Sequence, residues 1–224
     1  MPKVPQLQPP TIAISGSQQR FPVRRIYCVG RNYAEHAREM GGDPQRELPF
    51  FFGKPADAVV GSGRLAFPPR TAQLHHEVEL VVALHGRGAN LAEADAGAII
   101  FGHAVGIDLT RRDLQTEAKK AARPWDMAKG FDHSAPVGPL SLGAPPAAGP
   151  ISLTVDGEMR QQGDLRDMIW SVAEIIAALS GYVELAPGDL IFTGTPAGVG
   201  PIERGQTVRG MIAGTEPIEI TFEE

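Results

Sequence analysis

The run His76-Glu77-Val78-Glu79-Leu80-Val81-Val82-Ala83-Leu84 begins by alternating polar with apolar residues and ends wholly apolar. A strand that leaves a polar site and enters a core has this pattern. Residues two apart in a strand point to the same face, so Glu77 and Glu79 would stand about 7 Å apart along the backbone, side by side. Such a pair repels unless a cation joins it. Asp108 closes the next apolar stretch, Ile99 to Asp108, and could complete a face of three carboxylates. An all-oxygen set suits Mg²⁺, Mn²⁺ or Ca²⁺ better than Zn²⁺, which favours His and Cys. Alternate glutamates also mark the wet face of an exposed strand, and the spacing alone leaves that reading open. His75 and His76 lie beside this face, but strand neighbours point to opposite sides, so at most one could join it. With His85, His103 and His133 they read as packing or hydrogen-bonding residues.

His36 and Glu39 form a second candidate. They are i and i+3 in a segment, Asn32 to Met40, that reads as a helix ending at Gly41-Gly42, so their side chains share a face. A carboxylate that orients an imidazole leaves the other ring nitrogen free to take a proton from water. An ordinary polar helix face, also carrying Glu35 and Arg38, fits the same residues. Gly30 and Gly41-Gly42 would give this helix flexible joints, as in a lid, although glycine turns also border static helices.

The elements that must position these groups are short. Twenty-six glycines and twenty prolines in 224 residues imply many turns and a β-rich α+β fold. Ile26 to Val29, Phe50 to Phe52 and Leu190 to Thr193 read as strands, with two more near Val208 to Ile212 and Ile218 to Phe222. Asp156-Gly157 between Ile151–Val155 and Glu158–Gln161 signals a tight antiparallel hairpin. Leu91 to Ala96 and Thr110 to Ala121 read as helices, and Ser141 to Pro150 as a loop of small residues. Ser171-Val-Ala-Glu174 has capping-box spacing before a helix that Gly181 would close. Neither a βαβ repeat nor any other repeat is visible. Residues 1–20 carry four prolines and read as an extended arm, leaving 21–224 as one catalytic domain.

Bulk properties narrow the function. A net charge of -5 argues against nucleic acid and anionic membranes as partners. No apolar run approaches the roughly 18–20 residues of a membrane helix. A single cysteine, Cys28, excludes an internal disulfide framework, fits a reducing cytosol, and reads as a small buried residue because no base accompanies it. The glycine-rich stretch Gly194 to Gly200 lacks the GK[ST] of a phosphate loop. Trp125 and Trp170 read as core or interface anchors.

Six ordered blocks then resemble the fumarylacetoacetate hydrolase superfamily in its short form, from about Phe21 to Phe222. They are Tyr27-Cys-Val-Gly-Arg-Asn-Tyr-Ala-Glu-His36, Phe52-Gly-Lys-Pro55, His76-Glu-Val-Glu79, Gly106-Ile-Asp-Leu-Thr110, Pro124-Trp-Asp-Met-Ala-Lys129 and Phe192-Thr-Gly-Thr-Pro196. The stretches Phe21 to Gly30 and Gly163 to Ser171 look most like the fumarylpyruvate hydrolases of gentisate catabolism. The resemblance implies a mixed-sheet β-roll, usually a homodimer, and hydrolytic cleavage of a carbon–carbon bond in a small anionic acylpyruvate. It further implies that Glu77, Glu79 and Asp108 bind Mg²⁺ or Mn²⁺ and that His36 with Glu39 activates water. Lys129 then falls on a catalytic position, and Gln115 and Thr195 on substrate-contacting ones. Lys54 and Arg112 are added as anion contacts; with Arg31 they are the candidates to meet a second substrate carboxylate far from the metal. Within the superfamily the alternatives are an oxaloacetate decarboxylase or a diketo-acid isomerase. Outside catalysis, the alternative is a binding module that kept the fold.

Overall fold

The computed structural model describes residues 3–39 and 47–224, so the expected helix stop at Gly41-Gly42 lies outside the described residues. A six-stranded sheet runs in the order Ser141–Leu142, Ile100–Ile107, Val78–Leu84, Asp189–Phe192, Arg25–Val29, Phe51–Lys54. Its pairings are antiparallel except between Asp189–Phe192 and Arg25–Val29, which run parallel. A five-stranded sheet, Glu158–Asp164, Pro150–Val155, Thr207–Ile212, Ile218–Phe222, Gly63–Leu65, is antiparallel up to its last, parallel pair. The fold is therefore the expected strand-rich, mixed-sheet α+β type.

Strand Val78–Leu84 explains how the layers stack, because all seven of its residues are buried. Val78, Leu80, Val82 and Leu84 face one hydrophobic cluster that contains Ile151, Leu153, Val208 and Ile220 of the five-stranded sheet. Val81 and Ala83 face a second cluster with Ile26, Leu190 and Phe192. A strand covered on both faces loses its polar alternation, which is why the sequence turns wholly apolar there. Part of the second cover comes from the segment expected as an arm. Thr11–Ala13 pairs with Arg20–Pro22, and Ile12, Ile14 and Phe21 are buried in that second cluster.

The hairpin turn holds as expected: Asp156 and Gly157 have φ of 51° and 83°, the two positive values that a type I′ turn requires. Ser171 and Glu174 make both bonds of the capping box. Gly181 is the cap residue, although it stays right-handed at φ -75°.

Other boundaries shift for physical reasons. The run from His76 to Leu84 is not one strand: Leu74–His76 and Val78–Leu84 are separated at Glu77. Leu74–His76 leaves the six-stranded sheet to pair with Thr110–Arg111 and Gly200–Ile202, and the Val78 amide donates to the Gln161 side chain (3.0 Å) instead of to a neighbouring strand. Pairing also occupies Thr110 and Arg111, so the helix expected from Thr110 begins at Arg112 and runs to Lys120. In the expected loop Ser141 to Pro150, the first two residues form an edge strand and Pro150 opens the hairpin.

Candidate active site

The break at Glu77 opens the site. Two sheets part there, and the Asp108 amide donates to the Glu77 carbonyl at 2.8 Å, so three carboxylates arrive at one point from two chain segments. Oxygens of Glu77, Glu79 and Asp108 lie within 4.8 Å of one another, and all three residues are buried. The exposed-strand reading is thereby excluded.

Around them stand three buried cations. Lys129 Nζ donates to Glu77 (3.0 Å), Asp108 (2.6 Å) and the Thr110 hydroxyl (2.7 Å), which uses all three of its protons. Arg112 donates to Glu77 and, at 2.5 Å, to the Gln115 side-chain oxygen. Lys54 departs from its expected place. Its ammonium donates to the carbonyls of Leu109, Lys129 and Ser134 at 3.1, 2.5 and 2.9 Å and stands 2.8 Å from Asp108 Oδ1. With every proton committed and its side chain fully buried, Lys54 ties the site's loops together and has no donor left for a substrate.

The carboxyls respond differently. Burial would raise the Glu77 pKa, but Lys129 and Arg112 outweigh it and hold that carboxyl well below the usual range. Glu79 is raised by burial and then by its neighbours Asp108 and Glu77, with a single backbone donor, Gly194, against them at 2.7 Å. Gly194 can aim that amide because it is a glycine: its φ is +97°, and a Cβ there would lie 2.6 Å from Asn32 Cβ.

His36 reaches the same pocket from the helix Ala34–Glu39. Burial lowers its pKa against the opposing pull of Glu77 and Glu39, so the ring is neutral at ordinary pH. Its Nδ1 lies 3.3 Å from Glu39 Oε2, and a carboxylate can only accept, so Nδ1 carries the hydrogen and Nε2 is left basic. Glu39 also accepts from the Gly198 amide at 3.2 Å. Asn32, read in sequence only as a helix start, anchors this helix: its fully buried amide donates to the carbonyls of Trp170 and Thr193 and accepts from the Trp170 amide. Gly30 is less a flexible joint than a close approach, since a Cβ there would meet the Phe50 ring at 2.0 Å.

Gln161, which sequence reasoning missed, orders the opposite side. Its oxygen must face the Val78 amide (3.0 Å), and its nitrogen the Pro196 carbonyl (2.9 Å), because neither backbone group can exchange roles. Two consequences follow. His76 Nδ1, at 3.0 Å, carries a proton, and the Thr195 hydroxyl accepts from Gln161 at 2.8 Å. With its acceptor role filled, Thr195 has its own proton to donate into the pocket it lines. The same logic applies to Gln115, whose oxygen is held by Arg112 so that its NH₂ is the group left for the pocket. His75 sits behind Arg112, 3.4 Å from its Nε, with its pKa lowered to about 4 by burial and by that guanidinium.

The resulting cavity is bounded by Glu77, Glu79, His36, Lys129, Arg112, Gln115, Thr195 and Arg31. Phe52, Lys119 and Trp125 also line it and were not expected there. Lys119 was legible in principle: with Arg112 and Gln115 it forms an i, i+3, i+7 face of one helix. Cys28 is fully buried, and its thiol is pushed up by burial and by Asp108, in line with a packing role.

A strand-rich fold with three carboxylates at a sheet junction and a neutral histidine–glutamate pair in the same cavity defines a class, and the sequence match agrees: residues 25–223 match the fumarylacetoacetate (FAA) hydrolase C-terminal family, and the chain belongs to it. Among individual relatives, the chain is 50% identical to the fumarylpyruvate hydrolase of Pseudomonas aeruginosa, crystallised with Mn²⁺ and pyruvate. That match has a TM-score of 0.96 and covers 98% of each chain. It is 41% identical to a fumarylpyruvate hydrolase of Ralstonia, over 80% of this chain and 95% of that one. It is also 40% identical to an oxaloacetate tautomerase of Escherichia coli, over 85% of this chain and 89% of that one.

Proposed function

We propose that this chain is a divalent-metal-dependent acylpyruvate hydrolase that cleaves fumarylpyruvate to fumarate and pyruvate. The observation that carries the reading is the neutral, Glu39-oriented His36 in one cavity with the Glu77, Glu79 and Asp108 cluster. The carboxylates fit a hard cation. Their donor set is all oxygen; among the described residues Asp108 Oδ1 is buried with no hydrogen bond and only the Lys54 ammonium beside it, and Glu79 has one donor where a carboxylate can accept several. The Pseudomonas relative, crystallised in complex with Mn²⁺ and pyruvate, supports the same reading. Mg²⁺ or Mn²⁺, when bound by Glu77, Glu79 and Asp108, would supply Lewis-acid polarisation of the substrate's carboxylate and 2-oxo oxygens.

The protein's own groups perform the remaining work. His36 takes a proton from water at Nε2, and Glu39 stabilises the charged ring that results. The water oxygen adds to the C4 carbonyl, whose oxygen gains negative charge. Thr195 and Gln115 hold hydrogens ready to donate to such an oxygen, so no reorientation is needed as charge develops. The C3–C4 bond then breaks with its electron pair on C3, and the proton taken up by His36 balances the one that C3 must gain. Lys129 and Arg112 hold Glu77 ionised throughout.

The E. coli relative supports a second reading, an oxaloacetate tautomerase or decarboxylase. Neither reaction consumes water; a tautomerase would still use His36 to move a proton at C3, so the products separate the two readings. Metal-stripped protein resupplied with Mg²⁺ or Mn²⁺ should be given fumarylpyruvate, acetylpyruvate and oxaloacetate in parallel and the products identified by NMR. Fumarate and pyruvate, formed only with metal, are expected. Turnover of oxaloacetate alone would overturn the hydrolase reading.

A further inference from the structure

The pocket has two cations that the chemistry above leaves unused. Arg31 and Lys119 both line it, and among the described residues no carboxylate pairs with either. Each instead lies near an aromatic ring: the Arg31 guanidinium is 5.9 Å from the Phe50 ring centre, and Lys119 Nζ is 5.2 Å from that of Trp125. The like charges crowd one another. Arg112, Arg31 and Lys129 all act with burial to depress the Lys119 ammonium. Glu77 pulls the other way, but Arg112 and Lys129 already pair with it, so an anion entering beside Lys119 and Arg31 would offset their repulsion.

Their distance from the carboxylates tells which anion. Arg112 binds Glu77 at the inner end of helix Arg112–Lys120, and Lys119 is seven residues further on the same face, about 10 Å along the axis. An extended seven-carbon acylpyruvate separates its terminal carboxyl carbons by roughly 7–8 Å, six carbon–carbon bonds. A long flexible lysine side chain covers the difference. The flat rings of Phe52 and Trp125 line the same cavity, which suits a planar unsaturated acyl chain. Of the other expected partners of a distal carboxylate, Lys54 has every proton committed, and Arg112 sits at the acidic cluster, bound to Glu77 and Gln115, at the opposite end of the helix from Lys119.

We propose that Lys119 and Arg31 form a subsite for the carboxylate at the far end of the substrate, so that the enzyme selects dicarboxylic acylpyruvates over those ending in a methyl group. This rests on the reading that an acylpyruvate binds with its pyruvyl end at the acidic cluster. Four-carbon oxaloacetate is too short to reach both ends.

The test compares wild type with Lys119→Met, Arg31→Met and the double variant, all metal-loaded. The ratio of kcat/KM on fumarylpyruvate to that on acetylpyruvate should fall about 10–100-fold in each single variant, the size of one charge-assisted hydrogen bond. Fumarate, as an inhibitor or calorimetric ligand, should weaken by a similar factor, whereas pyruvate should not. An unchanged ratio in an active double variant, with fumarate affinity intact, would overturn the subsite. If wild type cleaves neither acylpyruvate, the hydrolase reading fails instead, and the fumarate titration still decides the subsite: weaker binding in the variants supports it, and equal binding overturns it.

Discussion

The two walls of the cavity are built on different plans. The inner wall, Glu77, Glu79, Asp108, Lys54 and Lys129, is buried, with side chains tied by hydrogen bonds to strands and loops on several sides. On the outer wall, Arg31 and Lys119 are more exposed, and among the described residues Glu39 reaches the body of the protein through a weak contact at Gly198. The inner wall holds charges that repel one another and therefore needs rigid compensation. The outer wall has only to admit a substrate and present groups to it. Substitutions inside should change metal affinity and stability together, while those outside should change turnover or selectivity alone.

Glu79→Gln is the strongest test of that division. It should abolish activity and weaken Mn²⁺ binding, measured by calorimetry, without unfolding the chain. Because the folded-state pKa of Glu79 is raised, its contribution to stability is present below the unfolded carboxyl range and is lost as pH rises through the folded value. The amide variant mimics the protonated form, so at neutral pH the metal-free variant should melt at or above wild type. The same proton competes with metal, so wild-type affinity should rise with pH. Unchanged affinity in the variant would remove Glu79 from the ligand set.

Next in size is Lys54→Met. It leaves Asp108 and three carbonyls without a buried cation and should cost about 3–5 kcal/mol of stability in chemical denaturation, the range for breaking a buried ion pair. A substrate-contacting lysine would instead raise KM and leave stability intact, and that outcome would restore the sequence-based expectation.

A smaller effect joins the walls. Gln161→Glu keeps an oxygen for Val78 but presents an acceptor to Thr195, drawing the hydroxyl proton away from the pocket. The kcat should fall about 10–100-fold, as for loss of one hydrogen bond to a charged oxygen. In a Thr195→Val background the same change should cost almost no further kcat, whereas additive losses would mean that Gln161 supports the site only through general packing.

The inner wall was the more legible in sequence, for the reason that makes it rigid. Strand alternation and an apolar run mark Glu77, Glu79 and Asp108 as candidates, and i, i+3 spacing marks His36 with Glu39, while the family resemblance supplies their roles. What the pattern does not carry is which distant groups meet. Lys54 takes its partners from residues 55 to 80 positions away, and Gln161 bridges 83 and 34 positions, so Lys54 read as an anion contact and Gln161 as an ordinary polar residue of a strand. The strand break at Glu77 was hidden for the same cause, because the side chain that takes the Val78 amide lies in another sheet. In the first 20 residues the proline content concealed Ile12 and Ile14, which cover a face of the six-stranded sheet.

The central claim is that the inner wall binds the cation while His36, across the cavity, activates water. His36→Ala, loaded with metal, measures it directly. Fumarylpyruvate hydrolysis should fall roughly 10²–10⁴-fold, the range for a general base, with Mn²⁺ affinity unchanged and any oxaloacetate decarboxylation falling far less. Equal losses of both activities at full metal occupancy would contradict the account, because His36 would then not be a dedicated base for water.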